Sequence, residues 1–136
     1  MFGDAIDYSI VKLRRKKWFP FQSRKVTMAP RGHIHFHPRG SAYCDDFAKE
    51  SLWRRGFFIH EMVHVWQAQK KGGWWLVFNR MPFARYHYSL KPGWPLTKYG
   101  VEQQAEIVKH AYLLRNGAKL AGAESAAAYE VLVNFT

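Results

Sequence analysis

The sequence predicts an α+β domain, and three observations carry that prediction. HIHFH at residues 33–37 alternates with the period of a strand, the run from Ser51 to Gly72 has the period and caps of one long helix, and two more helical segments follow. The chain has 136 residues, 48% of them hydrophobic and 17% aromatic, so it reads as one domain over 1–136 with a real core.

Residues 1–24 form a basic N-terminal segment in which LRRKKW reads as a solvated run. KVTMA and HIHFH then read as two short strands around a turn at Pro30, Arg31 and Gly32. Ser51 is the expected N-cap of the long helix, and Gly72 and Gly73 its stop. Residues 74–100, rich in Trp, Tyr, Phe, Pro and Gly, suggest an irregular aromatic wall. Helical spacing returns from Tyr99 or Gly100 to Arg115, ending at Asn116 and Gly117. Within residues 116–136 a last Ala-rich helix is expected from about Ala123 to Val133.

The charge is lopsided. Residues 1–40 hold nine Lys or Arg and two Asp, which is +7 of the net +11. Anionic surfaces are the natural partners of such a chain. No recognised nucleic-acid motif accompanies the basic run Lys12–Lys17 or Arg54 and Arg55, so nucleic-acid binding is disfavoured, and a solvated face, an anionic cell-envelope polymer or an acidic delivery partner is expected instead. No 18-residue apolar run is present, so no transmembrane segment is expected. The N-terminus lacks the pattern of a secretory signal, which predicts a cytoplasmic chain unless another machine exports it. Cys44 is the single cysteine, so a metal site must use His and carboxylate ligands.

The strongest chemical signal is HEMVH at residues 60–64. By composition alone, an H-E-x-x-H match somewhere in this chain has roughly one to two chances in a hundred. Four residues advance a helix by about 6 Å and turn it by only about 40°, so His60 and His64 project from one face and can share a metal. Glu61 lies about 100° further round, placed to act on a water as a general base. Phe58, Ile59, Met62, Val63, Val65 and Trp66 are expected to form an apolar arc opposite the two imidazoles. A catalytic zinc needs a third protein ligand, for which Glu102, Glu106, His87 and His110 are the downstream candidates. Glu102 and Glu106 share a helical face, so one can bind the metal while the other holds a ligand imidazole. Tyr86, His87 and Tyr88 are candidate donors to an oxyanion, a tyrosine being preferred. His33, His35 and His37 share one strand face, as a cleft wall, a polar surface or a second metal site, and Gln67 follows His64 by one turn.

HEMVHVWQ followed by YGVEQQAE is similar to the gluzincin type of zincin metallopeptidase, in which H-E-x-x-H and a Glu on a later helix bind zinc. More narrowly, APRGHIHFHP, FFIHEMVHVWQAQ and YGVEQQAEIV together resemble small bacterial Vgr-related, Rhs-type proteins linked to type VI secretion that carry a metallopeptidase domain, over residues 25–115. The resemblance implies a minimal zincin fold, Zn²⁺ as cofactor, and hydrolysis of a peptide bond in protein or cell-wall peptide. It implies His60, His64 and Glu102 as zinc ligands, with Glu106 the acidic residue four positions later. It also gives HIHFH the part of a strand along the cleft, and it implies delivery by type VI secretion. Two competing readings are a non-catalytic metal-binding adaptor of a secretion spike and a basic nucleic-acid binder with an accidental motif.

Overall fold

The long helix α1 runs Leu52–Lys71, and its ends follow from local chemistry. Ser51 Oγ accepts from Arg54 N at the start, Lys70 and Lys71 sit where the helix dipole favours cations, and Gly72 ends it at φ 89°, a conformation open to glycine. The computed structural model describes residues 1–80, apart from the Arg80 side chain, and 85–135. Residues 81–84 of the predicted irregular stretch therefore lie outside the described residues.

Three further helices follow: α2 (Gly73–Arg80), α3 (Val101–Arg115) and α4 (Ala126–Leu132). α3 starts at Gly100, whose N–H donates to Gln103 Oε1 at 2.9 Å, and ends at Asn116 with Gly117 at φ 85°. α4, with Ser125 as N-cap, is shorter than the expected Ala123–Val133. α2 replaces the irregular start expected for residues 74–100. Gly72 breaks the long helix, yet Leu76 N donates to Gly72 O, so a second helix restarts after it and buries Leu76.

The sheet is small and paired differently from expectation. β1 is Leu13–Arg14, inside the run read as solvated, and it pairs in parallel with β2, Ile34–His35. KVTMA contributes only one antiparallel bridge, Met28 to His35. The reason lies in Gln22, a buried side chain whose Nε2 donates to Val26 O and His35 O, so a side chain takes the ladder position of a second backbone pair. Together these elements make a mostly helical α+β structure.

α1 packs against α3 along most of its length, and α4 against α3. The approach is close at Gly56, where a β-carbon would stand 2.8 Å from Leu113 Cδ2. The core joins Ile34 and Phe36 to Val63 and Val65 of α1 and to Ala105, Ile107 and Val108 of α3. Burial of α1 is not the one-sided arc expected. His60 to Val65 are all buried, while Phe58, Ile59 and Trp66 keep partial exposure, because α3 covers the histidine side and the sheet and C-terminal segment cover the other.

Candidate metal centre

Three side chains converge where α1 crosses the first turn of α3. His60 Nε2, His64 Nε2 and Glu102 Oε2 are each 3.2 Å from the other two. All three residues are buried, Glu102 to 2% exposure. The helix period explains the histidines, and the Gly100 start of α3 brings Glu102 to its first turn, facing them. A tetrahedral ion with bonds of about 2.0–2.1 Å spaces its ligands by about 3.3 Å, so this triangle has the size a metal needs. It is the one group of three or more potential metal-ligating side chains among the described residues.

The groups behind the triangle hold it in orientation. His64 Nδ1 donates to Gln67 Oε1 at 2.8 Å, which directs Nε2 at the triangle. Gln67 Nε2 in turn donates to Val101 O and Gln104 Oε1, tying α1 to the start of α3. His60 Nδ1 lies 2.8 Å from Glu106 Oε1, and Lys109 Nζ bonds both oxygens of the same carboxylate at 3.1 Å. Burial would raise Glu106, but the His60 hydrogen bond and Lys109 outweigh it and bring the carboxyl down to about 2.

Burial alone would lower the basicity of His60. The Glu102 and Glu106 carboxylates reverse this and raise it to about 9. In protein stripped of metal, a histidine raised above its usual 6.5 contributes stability in full below that pH and loses it as the pH climbs through about 9. The melting temperature of chelated protein is therefore expected to fall between pH 6.5 and 9. In His60→Gln the profile over the same range should be flatter; identical profiles in thermal denaturation would count against this linkage.

A cavity of about 220 Å³ opens beside the triangle, lined by His60, Glu61, Tyr86, Lys25, Val26 and Thr27 among others. Glu61 is buried at its wall. Tyr86 is half-exposed, with its ring 6.3 Å from that of His60 and nearly parallel to it. Tyr88 is placed elsewhere: its hydroxyl bonds His110 Nδ1 and the Tyr129 hydroxyl, and burial raises its pKa well above the usual phenol range. His87 is exposed, and its carbonyl accepts from Gln103 Nε2. His110 Nε2 stands 3.5 Å from Glu106 Oε2. His33, His35 and His37 do not join the cluster. His35 Nδ1 donates to Lys16 O, His37 Nδ1 accepts from Arg39 N, and the cleft wall is residues 25–27 rather than HIHFH. Gln104 and Tyr129 carry no sequence signal for this site, because each acts through a partner distant in sequence, whereas Lys109 acts through Glu106 one turn earlier on α3.

No protein-family model matches the chain. The chain is 43% identical over 143 aligned residues to the type VI secretion system spike protein VgrG2b of Pseudomonas aeruginosa, covering 99% of this chain. It spans only 14% of that protein's length. The solved effector domain of Pseudomonas aeruginosa VgrG2b superposes with a TM-score of 0.73 and 38% identity, over 96% of this chain and 72% of that one. The chain belongs to the VgrG2b effector-domain family. The shared fold takes in nearly the whole of this chain.

Proposed function

We propose that this VgrG2b-type domain is a zinc-dependent peptidase delivered as a type VI secretion effector. The observation that carries the reading is the triangle of His60 Nε2, His64 Nε2 and Glu102 Oε2, with edges of 3.2 Å, beside a cavity that also holds the Glu61 carboxylate. The VgrG2b relationship supports delivery, with the rest of a spike protein as partner. No helix among the described residues is long and apolar enough to cross a membrane.

Bound zinc would supply a Lewis acid and lower the pKa of its water toward about 7. The chain's own residues do the rest. His60, His64 and Glu102 would hold the ion. Glu61 accepts a proton from the attacking water and returns it to the leaving amine. Glu106 and Gln67 keep the two imidazoles aimed, so neither has to reorient during turnover. Tyr86 lines the cavity, where its hydroxyl can donate to an oxyanion, and the Tyr88 hydroxyl lies away from it against His110 and Tyr129. The substrate is a peptide or protein, cell-wall peptide included.

The test joins elemental analysis to a peptide-library digest that includes cell-wall stem peptides, read by mass spectrometry. About one zinc per chain is expected, with cleavage lost on chelation and regained on adding zinc. Zinc without any cleavage would favour a non-catalytic adaptor. No zinc, even after incubation with the metal, would overturn the reading.

A further inference from the structure

α2 presents an unusual face. Leu76 is fully buried and pins the helix to the domain, yet Trp74, Trp75 and Phe78 are 57%, 37% and 75% exposed. Three large aromatic side chains on eight residues of helix are thus held out of the core by a helix that is itself anchored.

The surroundings are cationic. Exposed Lys70 and Lys71 close α1 one residue before α2, Lys70 Nζ lying 5.9 Å from the Trp66 ring, and the Arg31 guanidinium lies over the Trp74 ring at 5.5 Å. Arg31 also connects this face to the basic N-terminal region. Ile34 N donates to Lys12 O and Arg14 pairs with His35, which sets the basic strand beside the segment that carries Arg31. From Tyr8 to Cys44 the sequence has nine Lys or Arg and no Asp or Glu.

We infer that α2 and the cationic residues around it form a docking surface for an anionic phospholipid bilayer. The helix would lie in the plane of the headgroups, its Trp and Phe rings entering the interface and the lysines and arginines meeting lipid phosphates. Tryptophan is suited to that depth, because its ring is apolar while its indole N–H still finds water or headgroup oxygen. Aromatic burial and attraction to acidic lipid act together in such helices. Nucleic acid would use the cations but has no need of an outward Phe78. The inference does not depend on the metal centre or on peptide hydrolysis.

The experiment is sedimentation with vesicles of phosphatidylcholine alone and of phosphatidylcholine mixed with phosphatidylglycerol, for wild type and for two paired variants. One pair is Trp74→Ser with Phe78→Ser, and the other Lys70→Gln with Lys71→Gln. Wild type is expected to partition at least about tenfold more strongly onto phosphatidylglycerol vesicles, and less so as salt rises. The aromatic pair should lose about tenfold or more, with an unchanged melting temperature. The lysine pair should lose about 25-fold, about fivefold per charge. Wild type without preference for the acidic vesicles would overturn the proposal. So would an aromatic pair that binds them as wild type does, or a DNA duplex that displaces wild type from them.

Discussion

Glu61→Gln is expected to reduce peptide hydrolysis by about 10²–10⁴-fold while leaving zinc content and melting temperature near those of wild type. The substitution keeps the size of the side chain and its place in the cavity wall beside His60. It removes the ability to take a proton from water, since an amide is not a base at any relevant pH, together with a negative charge that acts on His60. Glu61 is also not one of the three donors of the triangle, so the metal has no reason to leave. The measurement is kcat on the best cleaved library peptide together with elemental analysis of the same preparation. Full activity would remove Glu61 from the mechanism, and loss of zinc would make it a structural partner of the site.

The second large effect separates the two glutamates of α3. Glu102→Ala deletes a donor 3.2 Å from both imidazole nitrogens, and purified protein is expected to hold no stoichiometric zinc. Glu106→Ala removes the carboxylate against the far side of His60, at Nδ1, and should cost only about ten- to hundredfold in affinity, with zinc retained at saturating metal. His60→Ala should behave as Glu102→Ala does. A competition titration against a chelator reads all three. Equal losses from Glu102→Ala and Glu106→Ala would mean that the ion sits between the two carboxylates rather than in the triangle.

The parts of this molecule legible in the sequence are those set by neighbours within a few residues. The start of α1 at Ser51, its stop at Gly72 and the shared face of His60 and His64 depend on local capping and on the helix period, and those limits coincide with the structure. β1 was not legible, because a parallel pair between Leu13 and Ile34 has no turn to announce it and its residues read as a solvated run. α2 was missed because Gly72 and Gly73 mark an end of helix, and only the burial of Leu76 in three dimensions shows why a new helix pays for itself there. In the site, Glu102 was one of four downstream candidates for a third ligand. Its place against both histidines depends on the crossing of α1 and α3, which no periodicity reports. Gln104 and Tyr129 carry no motif, and their parts follow only from Gln67 and Tyr88 being beside them.

The Gln67 bridge has a consequence for how the protein becomes active. Its bonds to His64, Val101 O and Gln104 join α1 to α3 through protein atoms, beside a hydrophobic core shared by both helices. Small zinc-nucleated domains differ, because there the metal supplies the folding energy and the unloaded chain is unfolded. If the proposed metal-dependent activity holds, folding and arming would be separate events here. On that reading a copy synthesised where free metal is scarce would be native and inert, and its first encounter with the ion would switch it on without any refolding.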